Sequence, residues 1–388
     1  MRRRGCAKLV SSATTTRIAA AALVVAAIAS AGDAGGADRL PVLAPSDDHL
    51  PVPVAMTVSG GVSLGAYQAG FLYYLTETIK RNPDLVEYQI LTGASAGMIN
   101  SLLALLSVGG PPEPEPTETL FYRVWTGMVW DELVDVEEAP VFATSSRKAF
   151  RELVEGVRER FEGGLSKDVD IVLGATATRM RPEKIEIHEG LSVSHQEEKF
   201  VFRVRGRGFG RPPQITNYAD PTHALAQPLL PFRPPDAPPA PGEPDNFDIL
   251  VDVLFATSAL PMVFEAQEVG FCTTPPGGID DPDDTAGALE CREPTEVHRF
   301  ADGALIDKWP LRLAYRMSRA GLERSPTGKG LGWRDVPRLD RAGVPDPRLF
   351  FVYLDPEDAA YPPLPPPSEG SRRDDGQVGL FEQLGVFF

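Results

Sequence analysis

Three short segments hold residue types that could do chemistry together. Gly93-Ala94-Ser95-Ala96-Gly97 has the form G-x-S-x-G. That is the pattern of a nucleophile elbow, a turn so tight that only small residues fit beside the serine, which lifts Oγ to the edge of a sheet. The same residues also fit a glycine-rich turn with a capping serine. Ser59-Gly60-Gly61-Val62-Ser63-Leu64-Gly65 is a second glycine-bearing turn. Its backbone N–H groups, with a helix N-terminus behind them, can steady a negative oxygen or cradle a phosphate. No Gly-Lys-Ser/Thr follows, which excludes a P-loop, and the spacing G-G-x-x-x-G does not fit a dinucleotide fingerprint. Phe300-Ala301-Asp302-Gly303-Ala304 sets an aspartate after an apolar pair and before two small residues, with Pro310 eight positions on. It reads as a strand end with room around a carboxylate, and by itself also as an Asx-turn.

The elements needed to position these residues are visible in the flanking sequence. Val52 to Val58 reads as a buried strand leading into the Gly60-Gly61 turn. Ala66, Ala69, Phe71, Leu72, Leu75 and Ile79 then recur at helical spacing until Asn82-Pro83 ends the helix. Tyr88 to Leu91 is a short strand before the serine turn, and Met98 to Leu106 is an apolar helix after it. Strand, turn, helix, strand, turn, helix predicts a parallel sheet covered by helices. Further on, 117–162 reads as charged helices, and Val169 to Ala175, Lys184 to His188 and Lys199 to Val204 as strands. Residues 205–246 are Pro-rich and read as a surface insertion. Phe247 to Phe264 returns to core-like sequence, and Arg348 to Leu354 reads as a late buried strand.

Taken together, GGVSLG, GASAG and DGALIDKWP, with Ala256-Thr257-Ser258-Ala259-Leu260-Pro261 before the last, resemble the patatin-like phospholipases in order and spacing. The resemblance runs from about Val52 to about Leu354. It implies a three-layer α/β/α fold with a mainly parallel central sheet, Ser95 as nucleophile and Asp302 as general base. It also implies an oxyanion loop at Gly60, Gly61 and Val62, with Gly65, Gly93, Gly97, Gly303 and Ala304 as motif positions. Ala304 stands where the family has a second glycine after the aspartate, and Lys308 where it usually has asparagine. Val62 and Leu64 replace a glycine and a basic residue that many members carry.

The five histidines, His49, His188, His195, His223 and His298, all precede Asp302. The α/β-hydrolase order of serine, acid, histidine therefore does not apply, and a Ser–Asp dyad is the simpler arrangement. A carboxylate becomes a useful base when burial raises its pKa, so the site should be a largely apolar cleft. The expected function is a serine lipid acyl hydrolase of phospholipase or lysophospholipase type. The alternatives are a non-catalytic lipid-binding member and a short-chain carboxylesterase or thioesterase. Phe121, Trp125, Met128 and Trp130 fall at roughly helical spacing and read as core, or as a lid over an acyl channel. The acidic run Asp280-Asp281-Pro282-Asp283-Asp284 lacks the spacing of a calcium loop, and there is no zinc-type His/Cys cluster, so no metal or cofactor is expected.

Composition bounds the rest. The 388 residues are 43% hydrophobic and 24% charged, with a formal net charge of -16. Residues 1–31 hold five basic residues and no acidic ones, so losing them takes the charge to -21. Such an acidic body argues against nucleic acid and against docking on anionic membranes by charge. The partner expected instead is a lipid or acyl ester, met at a transient membrane or micelle surface. Arg2, Arg3, Arg4 and Lys8 precede an apolar stretch from Ile18 to Ala29 and an Ala29-Ser30-Ala31 cleavage pattern, a secretory signal over 1–31. Export, to a periplasm, outer envelope or medium, lets Cys272 and Cys291 pair. A linker over 32–50, one catalytic domain over 51–355 and a Pro-rich tail over 356–388 complete the expected organisation.

Overall fold

The computed structural model describes residues 51–355 apart from 62–63, 114, 128–147, 189, 221–222, 224, 238, 276–288, 325–329 and 339–348. The signal-like segment, the linker, the tail, Met128, Trp130 and the acidic run at 280–284 lie outside the described residues.

The first half follows the pattern of the sequence: β1 (Val52–Val58), α1 (Gly65–Arg81), β2 (Val86–Gly93) and α2 (Ala96–Gly109). Asn82 ends α1, its N–H donating to Ile79 O and its side chain to Thr78 O, and Pro83 cannot continue the ladder. Then come α3 (Leu120–Gly127), α4 (Lys148–Glu162), β3 (Asp170–His188), β4 (Leu191–Arg205), β5 (Gln214–Asn217) and β6 (Pro228–Leu229). The remainder is α5 (Asn246–Thr257), β7 (Gln267–Thr273), β8 (Glu296–Asp302), α6 (Leu311–Gly321), β9 (Leu322–Arg324), β10 (Leu331–Trp333) and β11 (Phe350–Leu354).

β11, β1, β2 and β3 lie side by side and parallel, with β11 at the edge, in a sheet of nine strands among the described residues. Beyond β3 the sheet is extended by antiparallel strands, β4 and β5 along one branch and β8, β7 and β6 along the other. Side chains alternate between its faces. Val54, Met56 and Val58 of β1, with Ile171, Leu173 and Ala175 of β3, join the core beneath α1 to α5. Ala55, Ile90 and Val172 point the other way, against Leu313, Ala314 and Met317 of α6. Helices thus cover both faces, and the fold is the expected three-layer α/β/α arrangement. Full burial of side chains such as Leu72 and Leu102 contributes about 1.5–3 kcal/mol each.

Three stretches differ from the sequence reading. The two strands expected at 169–175 and 184–188 are one strand, β3. Pro182 falls where the β3–β4 register shifts between Thr178 and Glu183, so no ladder N–H is required of it. Within 205–246, the stretch read as an unpacked insertion, β5 pairs with β4 and β6 pairs with β7, and Ile215, Tyr218, Leu229 and Leu230 are buried. Prolines there mask short strands whose burial depends on partners far along the chain. Finally, β11 is not a buried strand. It pairs only with β1 among the described residues, and Phe350, Phe351 and Tyr353 stay partly exposed.

Cys272 and Cys291 form a disulfide with Cα atoms 5.6 Å apart. Cys291 packs with Ala219 and Leu229, giving a loop that has no core of its own a small one.

Candidate active site

The site is made where two strand ends meet along β3. Gly93, the last residue of β2, pairs with Ala175, and Asp302, the last residue of β8, pairs with Ala177. β4 occupies the other side of β3 at both positions, with Phe200 opposite Ala175 and Glu198 opposite Ala177. The ends of β2 and β8, running in opposite directions, therefore face each other two β3 residues apart, roughly 7 Å. Ser95, just past the end of β2, bridges that gap. Its hydroxyl donates to Asp302 Oδ2 at 2.6 Å.

Ser95 sits at φ 53°, ψ -130°, a region that a residue with a side chain rarely enters. Such strain costs on the order of 1–3 kcal/mol and persists only where the surroundings over-determine it. Here they do. A Cβ on Gly97 would lie 2.2 Å from Val58 O, so the turn can press against the end of β1 only as glycine. A Cβ on Gly93 would lie 2.4 Å from the Gly97 carbonyl carbon. From behind, the Ser95 N–H donates to Thr257 Oγ1 at 3.0 Å, and the Ser95 carbonyl accepts from Met98 N–H at 2.9 Å to open α2. The helix dipole of α2 favours negative charge at that end.

Asp302 is 1% exposed. Burial pushes its carboxyl from the ordinary 3.8 up to about 6, against the opposing pull of the Ser95 hydroxyl and the Ala304 N–H. The Ala304 N–H donates to Oδ1 at 2.8 Å, so the Gly303-Ala304 turn is an Asx-turn as well as a site element. Thr178 Oγ1 donates to the Asp302 carbonyl at 2.8 Å, and the Asp302 N–H donates to Ala259 O at 2.9 Å.

The glycine loop lies against both. Gly60 is so close to the aspartate turn that a Cβ on it would stand 2.6 Å from Ala304 Cβ. Its N–H donates to Lys308 O at 3.2 Å. Lys308 therefore meets the loop through its carbonyl, while its ammonium lies over the Trp309 ring, 5.7 Å from the centroid. Gly61 N–H has no hydrogen-bond partner among the described residues, and Val62 lies outside them. Gly65 opens α1 with its carbonyl held by Asn100 Nδ2 at 2.9 Å. Trp125, on α3 with the buried Phe121, donates to Asn100 Oδ1 at 2.7 Å.

No histidine hydrogen-bonds Ser95 or Asp302 among the described residues. His298 bonds Glu296 at 3.1 Å and stands four residues before Asp302 on β8, some 13 Å of extended chain. His223 meets Arg316 at 2.6 Å. A small apolar cavity opens between α2, α4 and α5, lined by residues including Ile99, Leu103, Val157, Val251, Leu254 and Ser258 but not by Ser95 or Asp302. Ile99 follows Ser95 by one helical turn, and Ser258 adjoins Thr257.

Two supporting residues carry no sequence signal of their own. Thr257 and Ala259 fall in the Ala-Thr-Ser-Ala-Leu-Pro segment, which the motif resemblance marks without assigning them a task. Only the meeting of the α5 C-terminus with both strand ends shows that one segment holds the serine N–H and the aspartate N–H.

Among curated proteins, none matches this sequence. The family model for patatin-like phospholipases matches residues 56–315, about two thirds of the chain. That span runs from β1 through the elbow and the aspartate turn into α6, so it takes in every element that meets at Ser95 and Asp302. The chain belongs to the patatin-like phospholipase family, a family of lipid acyl hydrolases.

Proposed function

We propose that this chain is a serine hydrolase of phospholipase or lysophospholipase type, with Ser95 as nucleophile and Asp302 as the sole general base. The observation that carries this reading is the 2.6 Å bond from a strained elbow hydroxyl to a buried carboxylate whose pKa is raised to about 6. A base so tuned is ionised at neutral pH yet holds a proton better than a solvated aspartate. As Ser95 Oγ attacks the ester carbonyl, its proton passes to Asp302 Oδ2. The carbonyl oxygen becomes an oxyanion, facing the Gly61 amide of the glycine loop. Collapse breaks the C–O bond, and the leaving alkoxide takes the proton from Asp302. Water then attacks the acyl-serine, giving its proton to Asp302 and releasing the fatty acid as the hydroxyl of Ser95 is restored.

Membership of a family of lipid acyl hydrolases favours a lipid over a short-chain ester or thioester as the substrate. The intact serine–aspartate contact weighs against a member that only binds lipid. The substrate is presented at a membrane or micelle surface. Export fits the paired Cys272 and Cys291, since structural disulfides persist in oxidising compartments. N-terminal sequencing should find a mature start near Gly32; an intact Met1 on a cytosolic protein would end the export reading.

The test of the chemistry is reaction with a fluorophosphonate probe and mass mapping of the adduct. Ser95 should carry the label, and Ser95→Ala should be inert yet folded. Near wild-type turnover in Ser95→Ala would dismiss the assignment. Asp302→Asn and the five His→Ala variants separate dyad from triad: one folded but dead histidine variant would overturn the dyad.

A further inference from the structure

The turn that follows Asp302 sends apolar side chains into water. Leu305 and Ile306 are each 51% exposed and Trp309 is 52% exposed, all within seven residues of the buried carboxylate. Tyr67, in the first turn of α1, is 68% exposed. The two segments are linked through β1 and β11: Gln68, in the first turn of α1, donates to Ser59 O at 2.9 Å, and Asp355 accepts from both the Ser59 hydroxyl and the Trp309 indole N–H. A rim of large apolar groups thus stands where β1, β2 and β8 leave the sheet, next to Ser95. Trp309 is also held in place: its indole N–H donates to Asp355 Oδ2 at 2.9 Å, and the Lys308 ammonium lies near its ring. A cluster of this kind marks an interaction surface more often than an accident of folding.

Resting on the hydrolase reading above, we infer that this rim is the docking surface for a zwitterionic lipid–water interface. Position is the first argument. Anything that covers the rim also covers the approach to Ser95, which a substrate-bearing surface can do productively and a protein partner would block. Charge is the second. The chain carries a net -16, so anionic lipid is repelled. The rim is mixed in sign, with Lys308 and Lys199 beside Asp307 and Asp355 and Lys199 pairing Asp307 at 3.8 Å, which matches the paired charges of a phosphocholine layer. Amphipathic rings such as Trp309 and Tyr67, with a polar tip and an apolar body, suit that boundary.

The experiment uses the full-length Ser95→Ala chain, which docks without consuming the lipid, and vesicles of phosphatidylcholine alone or with phosphatidylglycerol. Co-flotation should show binding to pure phosphatidylcholine that weakens as anionic lipid is added, with a blue shift of tryptophan emission. Adding Leu305→Ser with Ile306→Ser should cut the partition coefficient at least tenfold, and Tyr67→Ser, on a different element, should cut it severalfold. With Ser95 intact, the Leu305→Ser/Ile306→Ser pair should keep kcat/KM on a soluble short ester within about twofold while losing at least tenfold on vesicles. Unchanged partition in both rim variants overturns the proposal. So does stronger binding to anionic vesicles, or a dimer that the rim variants dissolve without any change in vesicle binding. Loss of all hydrolysis with vesicle binding intact in the parent chain would sink the hydrolase reading and leave the docking surface standing.

Discussion

At the scale of single residues, Asp302, as the proposed base, would set activity against stability. Its folded pKa, about 6, lies above the ordinary 3.8. Between those values the folded chain holds a proton that the unfolded chain has released, so stability falls as pH rises through this window. Above pH 6 the ionised, buried carboxylate costs the fold on the order of 3 kcal/mol. Asp302→Asn should therefore melt higher than wild type at pH 8, with the gain fading by pH 4, while kcat/KM drops by about 10²-fold or more. Calorimetry and ester assays on the same preparations check both halves. In the wild type the acid limb of kcat/KM should have its midpoint near pH 6, the value burial gives Asp302; a limb near 4 would mean the base is solvated. A second pair of residues is coupled by contact. A Cβ on Gly60 would meet Ala304 Cβ at 2.6 Å, so Gly60→Ala should cost about 1–3 kcal/mol by overpacking. Ala304→Gly should restore much of that loss in a double-mutant cycle, and additive effects would show that the strain is relieved elsewhere.

At the scale of elements, the serine depends on the far end of α5. Thr257 accepts the Ser95 N–H, and that amide is buried. Thr257→Val keeps the shape but leaves the donor without a partner, which costs about 1–3 kcal/mol. Because the elbow then loses its rear support, kcat should fall with KM little changed, whereas Thr257→Ser should keep most of the rate. Steady-state kinetics on the three proteins decide this; equal loss in valine and serine variants would point to lost packing. The elements themselves were largely legible. Glycine spacing, buried apolar runs, helical periodicity and the Asn82-Pro83 stop are local signals, set within a few residues. The strands expected at 169–175 and 184–188 are continuous in β3, with Pro182 accommodated at a register shift that only the pairing with β4 reveals. β11 was read as buried because its residues are apolar, yet its burial depends on a neighbour that the described residues do not supply.

At the scale of the whole molecule, the disulfide staples the branch of the sheet that carries Asp302. β7 pairs with β8, and Cys272 of β7 is bonded to Cys291 across 19 residues. By loop-closure entropy such a bridge contributes about 3 kcal/mol. Cys272→Ser with Cys291→Ser should lower Tm by several degrees, and the folded fraction should keep its esterase activity, since neither sulfur touches the site. An equal Tm in both proteins would show that the small cluster around Leu229 already holds this loop.

What the sequence determined alone is the set of parts: an elbow serine, a glycine loop, an aspartate at a strand end, and the strands and helices around them. Each follows from residues within a turn or two of one another. Tertiary structure decided how those parts meet. Ser95 and Asp302 lie 207 positions apart, and their contact exists because β2 and β8 end against the same side of β3 from opposite directions. It also decided that Thr257 and Ala259 hold the two backbone amides, and that Lys308 meets the glycine loop through its carbonyl. A strand's neighbours are chosen by hydrogen bonding and burial among remote segments, and no spacing within a single segment encodes that choice.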